Sequence, residues 1–557
     1  MLDNIRIALY AALAILFFLL YQAWVQDHPK PDISPVLQTS PNIPAGRFIP
    51  DATAIPLSAS PTLPETIKQT PPLIPPMKGK LIKVTTDIFE VTIDTRGGDI
   101  VDAKLLKYPE SLDAKTPFVL FNDDSSIRYI AESGLLSKQG PDTSEGQAFY
   151  TTTQTEYSLN PQENNLIVKL NWQKDGVFVT KLFTFTRGSY EIRMNYDIDN
   201  KSNDAWTGNL YTQLMRTNTP PTNHGGLVNL ATYFGAAISS PQKPFEKISF
   251  KDMLSNNLNQ TVQDGWAAMI QHYFVSAWIP PKTATSTYYT RVTQDGLYTV
   301  GMMGSPLMVE PGTKASTEAK LYAGPAITDT LEKAAPGLQL TIDYGWFWFI
   351  SIIIFWMMQH IYDVVGNWGW SIVLVTIIIK LFFYFPSNKS YRSMSAMKKL
   401  QPKMEALKLR YGDDRQKLTQ ATLELYRGEK VNPMSGCWPM LIQIPVFIAL
   451  YWVLVESVQL RQAPFIFWIR DLSQHDPYYV LPVLMGISMF LQQRLNPPPP
   501  DPLQAKVMML MPIVFTVLFA NFPSGLMLYW FVNNTLSFLQ QWHIMHKIAK
   551  VVPAKKI

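Results

Sequence analysis

The sequence is poor in cysteine and in charge. Cys437 is the one cysteine among 557 residues, so an intramolecular disulfide and a cysteine-based metal site are both excluded. Charged residues make up 16% of the chain, whereas soluble domains carry about 25%. No G-x-x-x-x-G-K-[ST] phosphate-binding loop occurs, so the sequence encodes no energy source of that type. The low charge reflects a few long apolar runs, which are typical of a membrane protein with soluble parts.

The first apolar run covers residues 7–25, "IALYAALAILFFLLYQAWV". It is long enough to cross a hydrocarbon core of about 30 Å at about 1.5 Å per residue. Arg6 precedes the run, and no small-x-small cleavage site follows it. This pattern predicts an uncleaved signal-anchor span within residues 1–27. Residues 28–80 are rich in proline and threonine, so we expect an extended tether there.

Residues 81–340 have a different pattern, in which apolar and polar residues alternate. Such alternation, with β-branched and aromatic residues, predicts half-buried strands. The clearest segments are "IKVTTDIFEVTID", "NNLIVKLNWQ", "VFVTKLFTFTR", "YEIRMNYDIDN" and "STYYTRVT". Turn sequences such as "RGG", "KDG", "QDG" and "NKSND" separate the strands. The expected fold of this region is a large antiparallel β-sandwich.

Beyond residue 340 the chain contains six further apolar runs. The insert 387–431 carries eleven Lys or Arg against five Asp or Glu, and such basic segments stay in the cytoplasm. If residues 7–25 cross the membrane, the domain that follows lies outside. The basic loop is then cytoplasmic only if 345–362, within the segment 341–365, does not cross the membrane and lies along the interface. The remaining five runs are then spans, which gives six in all, with both termini cytoplasmic and residues 28–365 outside. These five spans are 368–386, 437–455, 478–495, 507–522 and 525–542.

The cytoplasmic insert 388–430 is predicted to be a helical hairpin. Methionine and leucine recur three and four residues apart, from Met394 to Leu407 and again in the second helix. Gly412 suits the end of the first helix, and Asp413 or Asp414 suits the N-cap of the second. One interpretation is a solvated, basic helix pair held together by its own apolar stripe. The other is a docking surface for an anionic partner or for lipid head groups.

Lys380 lies inside the apolar run "SIVLVTIIIKLFFYFP", in the cytoplasmic half of its predicted span. In one interpretation its stem only reaches toward the interface. In the other, it serves an anionic guest, because none of the five predicted spans contains Asp or Glu. An unpaired charge in lipid is expensive, so we expect Lys380 to face a water-filled groove. The polar residues expected to line that groove are Thr376, Gln443, Thr516, Asn533 and Asn534.

Seven stretches give the sequence a family resemblance that runs in order along nearly the whole chain. They are "DYGWFWFIS", "GNWGWSI", "LQPKMEALKLRYGDD", "KVNPMSGCWPMLIQIPVFIALY", "LRQAPFIFWIRDLS", "DPYYVLPVLMG" and "NFPSGLMLYWFVNN". On these stretches the chain resembles the YidC/Oxa/Alb family of membrane protein insertases, in the arrangement of Gram-negative members. The resemblance implies a polytopic α-helical protein of the bacterial inner membrane with a five-helix insertase core at residues 366–545. It also implies an all-β periplasmic β-supersandwich domain related to sugar mutarotases, which we expect to be non-catalytic.

The resemblance also assigns roles to residues of this sequence. It implies a positively charged hydrophilic groove whose basic residue is Lys380, at a position where many members have arginine. Lysine keeps the charge but lacks the planar fork of arginine. It implies contacts between the third and sixth spans and a substrate helix. The candidate contact residues are Ile444, Pro445, Phe447, Tyr529 and Trp530, with Gln443 beside them.

The function implied by the resemblance is insertion and folding of membrane proteins, without enzymatic activity and without a cofactor. The expected partners are nascent membrane proteins, the Sec translocon, the phospholipid bilayer, and the ribosome and signal-recognition-particle pathway. The last two would meet the cytoplasmic loops and the basic tail at 546–557. The alternative is a secondary transporter of an organic anion, which the lack of intramembrane acids and of repeated halves disfavours. A membrane-tethered sugar-modifying enzyme would leave five spans without a purpose.

Overall fold

The computed structural model describes residues 79–143, 146–219, 232–412, 414–429, 431–432, 438–497 and 502–551. The predicted signal anchor, nearly all of the tether and the last six residues of the basic tail lie outside these ranges. The described residues form two compact units. The first is a β unit that ends at Ile342, and the second is a helical unit that begins at Asp343.

The β unit contains two sheets, which confirms the predicted β-rich domain. The larger sheet has the strand order β13-β16-β17-β10-β5-β3-β2-β1-β6, with β18 paired to β10 and β4 paired to β3. The smaller sheet has the order β12-β11-β14-β15-β19-β9-β8-β7. The strands are β1 Leu81–Thr85, β2 Phe89–Asp94, β3 Asp99–Pro109, β4 Pro117–Phe121, β5 Tyr129–Leu136, β6 Glu156–Ser158, β7 Asn165–Lys174, β8 Val177–Thr186, β9 Glu191–Asn200, β10 Trp206–Thr217, β11 Phe234–Ile238, β12 Glu246–Ile248, β13 Asn259–Gln263, β14 Ala267–Gln271, β15 Phe274–Ile279, β16 Thr285–Val292, β17 Leu297–Gly304, β18 Leu307–Val309 and β19 Lys314–Pro325.

Each of the five alternating segments forms strands, and the predicted turns join them. In β8 every second side chain, from Val177 to Phe185, is buried, as the alternation requires. The hairpin between β7 and β8 turns on Asp175 and Gly176, which both have positive φ. Positive φ at both central residues defines the type I′ turn, whose twist matches that of the flanking strands. Two short helices, α1 Phe250–Ser255 and α2 Thr328–Ala334, and a 3₁₀ turn, Leu338–Thr341, complete the unit.

A buried lysine connects the two sheets. Lys181, on β8 of the smaller sheet, is fully buried, and its Nζ donates to the carbonyl oxygens of Gly97 (2.9 Å) and Ser133 (2.8 Å). Gly97 lies just before β3 and Ser133 lies in β5, two strands of the larger sheet that pair at a single position. The Ser133 amide donates to Asp99 Oδ1 at 3.2 Å. Charged side chains thus satisfy backbone groups of β5 at a position where β3 has diverged.

The helical unit is built from nine helices within the described residues. They are α3 Trp348–Val365, α4 Trp368–Phe382, α5 Tyr384–Lys399, α6 Gln401–Tyr411, α7 Arg415–Gly428, α8 Trp438–Glu456, α9 Val480–Leu495, α10 Pro502–Leu518 and α11 Ser524–Val551. A 3₁₀ turn, Val458–Leu460, follows α8. α11 contacts α4, α5, α8 and α9, so it is the central helix of the unit.

The helix is bent inside the predicted span 368–386. The apolar helix α4 ends at Phe382, and α5 continues from Tyr384 at an angle of 67° to it. Pro386 explains the break, because it has no amide hydrogen to donate to the carbonyl of Phe382 and its ring crowds that carbonyl. The ends of two other helices differ from the ends of the predicted spans. α10 begins before residue 507 and ends at Leu518, and α11 extends past residue 542 to Val551. The spans themselves stay predictions.

By length and composition, one described helix is able to cross a membrane, namely α3, and the bent pair α4–α5 passes the same test together. Shorter apolar helices occupy Leu441–Glu456, Val480–Leu495 and Ala505–Leu518. α3 displays the aromatic side chains Trp348 and Trp356 on its exposed side, while Ser351 Oγ donates to the Ala449 carbonyl of α8 at 3.1 Å. The number of spans and the interfacial position of 345–362 stay predictions.

The insert 388–430, where the sequence predicted two helices, contains parts of three. α5 ends at Lys399, and α6 starts anew at Gln401 with Pro402 in its first turn. The predicted ends are confirmed, since Gly412 is the C-cap of α6 and the Asp414 side chain accepts from the amide of Lys417. The apolar stripe is not confined to the hairpin. Met394, with Tyr391, packs on Ile544 of α11, so part of the stripe attaches α5 to the central helix.

Candidate functional site

Lys380 is on the last turn of α4 and points toward α11. Its Nζ donates to Ser537 Oγ at 2.5 Å, and the side chain is 9% exposed. Within the described ranges this is its one hydrogen bond, and Lys380 has no ion pair. The side chain is thus mostly covered in this conformation, and its exposure to a water-filled groove stays a prediction. An ammonium group has three N–H donors, so two remain available to a guest.

The partner of Lys380 belongs to a polar line that crosses three helices. Ser537 Oγ donates to the carbonyl of Asn533, one turn earlier on α11, at 2.7 Å. Asn533 Nδ2 donates to Gln443 Oε1 of α8 at 3.2 Å. Two of the predicted lining residues, Gln443 and Asn533, thus lie on the same line as the lysine. The sequence analysis missed Ser537, although its position four residues after Asn533 places it on the same helix face.

The two predicted threonines are satisfied by their own helices. Thr376 is buried, and its Oγ1 donates to the Ile372 carbonyl at 2.6 Å. Thr516 Oγ1 donates to the Pro512 carbonyl at 2.7 Å and lies against Gly486 of α9, where an added Cβ would come within 2.1 Å of it. Thr516 is therefore placed against α9, away from the hydrogen-bonded line. Such bonds to the preceding turn are the usual state of threonine inside a helix.

Asn534 also pairs away from Lys380. Its Nδ2 donates to Ser488 Oγ of α9 at 3.3 Å, and both side chains are buried. This contact joins α9 and α11, which make the most extensive helix pair of the unit. We interpret Asn534 as a helix-to-helix contact rather than as part of the lysine site.

The predicted substrate-contact residues differ in exposure. Ile444 is 47% exposed, whereas Tyr529 is 2% exposed and so is covered by its own protein in this conformation. Phe447 of α8 packs edge-on against Trp530 of α11, with ring centroids 4.7 Å apart. Trp530 in turn contacts Phe519 at 4.7 Å. Phe447 and Trp530, together with the partly buried Pro445, thus lie where α8 meets α11 and the end of α10.

The acidic residues of the predicted outer loop are used by the loop itself. Asp476 is fully buried and accepts from Trp468 Nε1 (2.9 Å) and from the amide of Leu481 (2.7 Å), which fixes the start of α9. Asp471 accepts from Ser473, and burial raises the pKa of the Asp471 carboxyl. In the described ranges no group of three or more His, Cys, Asp or Glu is arranged to hold a metal ion.

A cleft opens beside Lys380 between α4 and α11, at the bend that leads into α5. It has a volume of about 270 Å³. We call it the lateral cleft, and its lining residues are Ile377, Lys380, Leu381, Tyr384, Leu536, Gln540 and His543. Gln540 Nε2 donates to the Tyr384 carbonyl at 3.2 Å, so the two helices run side by side in the same direction here. Lys380 therefore belongs both to the polar line and to the lining of the lateral cleft.

Comparison with known families covers both units. Residues 81–357 match the family described as YidC periplasmic domain. Residues 360–551 match the family described as 60Kd inner membrane protein. Together with two β-sheets followed by a helical unit, these matches define an inner-membrane protein that carries a periplasmic β domain.

Full-length relatives identify the family more narrowly. Membrane protein insertase YidC of Legionella pneumophila (strain Lens) is 50% identical over 560 residues, covering 100% of this chain and 99% of that protein. Membrane protein insertase YidC of Stutzerimonas stutzeri (strain A1501) is 46% identical over 555 residues, covering 98% and 99%. The chain belongs to the YidC family of membrane protein insertases, which are not enzymes. The resemblance found in the sequence is thereby confirmed.

Two solved structures are also similar. A crystal structure of an active YidC insertase with its first transmembrane domain resolved has a TM-score of 0.39 at 19% identity, covering 83% of this chain and 92% of that one. A galactose mutarotase related enzyme from Lactobacillus acidophilus has a TM-score of 0.30 at 11% identity, covering 44% of this chain and 97% of that one.

Proposed function

We propose that this chain inserts membrane proteins into the bacterial inner membrane, as its relatives are named to do. In this proposal, a short acidic tail of the substrate is attracted by Lys380 and moved across. The adjoining apolar helix leaves along α8 and α11 into lipid. The observation that carries the proposal is the environment of the Lys380 ammonium in the helical unit. Among the described residues it has one neutral hydrogen-bond partner and no carboxylate partner.

The substrate itself supplies the driving force in this mechanism. A helix of about 20 apolar residues gains free energy on leaving water for lipid, and this gain exceeds the cost of moving a short polar tail. The polar line from Gln443 to Ser537 offers hydrogen-bonding groups to a tail in transit, which lowers the cost of removing it from water. No nucleotide is needed for such a step.

Reconstituted liposomes test the role of the charge. The substrate is a small membrane protein with an acidic N-terminal tail, and insertion is measured by protection of the tail from protease. We expect Lys380→Ala to reduce the insertion rate about tenfold or more, since hydrogen bonds to charged groups contribute about 1.5–3 kcal/mol. Lys380→Arg should retain activity. Lys506→Ala, which removes an exposed lysine of α10, is the matched control.

The result that would contradict this role is full activity of Lys380→Ala with the acidic substrate. A second substrate, with its tail carboxylates replaced by amides, separates charge attraction from a general defect. Lys380→Ala should slow the acidic substrate more than the neutral one. Equal slowing of both would assign Lys380 a structural part in the bundle instead.

We further propose that the insert formed by α5, α6 and α7 receives nascent chains, beside the Sec translocon or alone. The exposed basic side chains of α6, Lys403, Lys408 and Arg410, support binding to an anionic partner such as ribosomal RNA or the signal-recognition-particle pathway. Replacing Lys408 and Arg410 by glutamine should weaken co-sedimentation with ribosomes, and the loss should shrink at high salt. Unchanged binding at low salt would exclude α6 as the contact.

The proposed topology places both termini and the insert in the cytoplasm and residues 28–365 in the periplasm. Because the chain has one cysteine, Cys437→Ser gives a cysteine-free background for labelling. Cysteines introduced at Gln416, which is exposed on α7, and at Ser202, which is partly exposed in the β unit, should then react with a membrane-impermeant maleimide from opposite sides of the membrane.

A further inference from the structure

The lateral cleft is built from one stripe of each of two helices. From α4 and the first residue of α5 come Ile377, Leu381 and Tyr384, and from α11 come Leu536 and His543, at helical spacing. Because the helices run in the same direction, both stripes change from aliphatic to polar side chains toward the same end of the cleft. Aliphatic side chains line one end of the cleft. Tyrosine, glutamine and histidine line the other, and Lys380 lies between them.

The mouth of the cleft is surrounded by exposed apolar side chains. Leu381 is 65% exposed and Phe382 is 77% exposed, and Leu539 and Trp542 are about half exposed on α11. In a membrane protein such side chains face lipid. The cleft therefore opens sideways into the bilayer, and Gln443, Asn533 and Ser537 of the polar line are not among its lining residues.

The charge of the cleft selects an anion. None of the seven lining side chains is a carboxylate, and Lys380 contributes an ammonium with two N–H groups not used by Ser537. Gln540 already donates to the Tyr384 carbonyl, which holds the polar end of the cleft in shape. A guest that is negative near Lys380 and apolar toward Ile377 and Leu536 complements this arrangement.

The position of the cleft favours a lipid over a peptide. An extended peptide would bring backbone N–H and C=O groups that each need a partner in lipid. A phospholipid has no such groups to satisfy, and its phosphodiester accepts hydrogen bonds strongly.

We propose that the lateral cleft binds an anionic phospholipid, with its phosphate at Lys380 and the start of an acyl chain along Ile377 and Leu536. His543 and Tyr384 lie on the headgroup side. With the predicted topology this lipid comes from the cytoplasmic leaflet. The proposed lipid site shares Lys380 with the polar line on which the proposed insertase function depends, but its other lining residues are different. While the lipid is bound, its phosphate is the counter-ion of Lys380. A substrate tail then displaces the lipid from the lysine.

Native mass spectrometry of the full chain tests the proposal. Protein is taken from nanodiscs that contain equal amounts of phosphatidylglycerol and phosphatidylcholine. We expect the wild type to retain phosphatidylglycerol at least fivefold over phosphatidylcholine. Two variants should lose this preference: Lys380→Gln, which removes the charge, and Leu536→Trp, which fills the aliphatic end. His546→Leu is the control, because His546 stacks on Trp542 and does not line the cleft.

Equal retention of both lipids by the wild type would overturn the proposal. So would a preference that survives both Lys380→Gln and Leu536→Trp, with folding checked by size exclusion. A photoreactive benzoylphenylalanine at position 536, irradiated in the absence of substrate, should crosslink to phospholipid, and no crosslink to phospholipid would contradict the proposal. Loss of lipid preference in Leu536→Trp with normal insertion would show that the lipid site and the insertase function are distinct.

Discussion

Replacing Lys181 by methionine is the sharpest test of the β unit. Methionine keeps an unbranched apolar side chain as far as the ε-carbon but lacks the terminal ammonium that joins the two sheets. Two charge-assisted hydrogen bonds disappear, to Gly97 and Ser133, and the nearby buried Asp99 and Asp142 lose a positive neighbour. Removing one partner from a buried charged group costs about 3–5 kcal/mol. We therefore expect the β unit to lose that much stability while the helical unit is unaffected.

Hydrogen exchange measured by mass spectrometry reads this change locally in the full chain. Peptides from β5 and β8 should lose protection by roughly two to three and a half orders of magnitude, since each 1.4 kcal/mol corresponds to about tenfold. Peptides from α9 and α11 should not change. Lys169→Met is the matched control on the neighbouring strand β7, where the lysine is exposed, and it should cost less than about 0.5 kcal/mol.

A loss below about 1 kcal/mol in Lys181→Met would refute this reasoning. It would mean that removing the ammonium from water costs as much as its contacts return, as happens in some buried ion pairs. The lysine would then serve to select the sheet arrangement rather than to stabilise it. A loss spread over both units would instead indicate that the units unfold together.

Two further predictions concern buried carboxylates. Burial raises the pKa of Asp142, so its share of the stability is complete below the unfolded value near 4 and declines as the pH rises through the raised pKa. The difference in exchange protection between wild type and Asp142→Asn should accordingly vary over this window, and a constant difference would contradict the assignment. Asp476→Asn keeps the shape of the side chain but replaces one of the two accepting carboxylate oxygens by an NH₂ group. That NH₂ group would face an N–H donor, either Trp468 Nε1 or the Leu481 amide. The substitution should destabilise the start of α9 by about 2 kcal/mol, seen as faster exchange in peptides covering 476–485, whereas Asp363→Asn on the exposed end of α3 should not.

Much of the architecture follows from local pattern in the sequence. The alternation in β7, β8 and β9 predicted the ends of these strands to within one or two residues. It did so because every second side chain of a strand points to the buried face of the sheet. Gly412 and Asp414 located a helix end and a helix start, since both act through their own neighbouring backbone. Such features depend on contacts within a few residues.

Errors arose where one local signal competed with another. The apolar run 368–386 looked continuous, but Pro386 interrupts the helix four residues before itself, at Phe382. The hydrophobic pattern of residues 394–407 likewise concealed a break at Leu400 ahead of Pro402. In both places proline chemistry decided where the helix could continue.

The sequence by itself determined the division into a β unit and a helical unit, the family, and the presence of an isolated lysine in an apolar run. Only the tertiary structure decided what that lysine touches. Ser537, its partner, is 157 residues away, and the acceptors of Lys181 are 84 and 48 residues away. Thr516 and Asn533 looked equivalent in sequence, yet one lies against α9 and the other on the polar line. The physical reason is that periodicity fixes which face of a helix or strand is apolar, while the rotation and pairing of distant elements fix which polar groups meet.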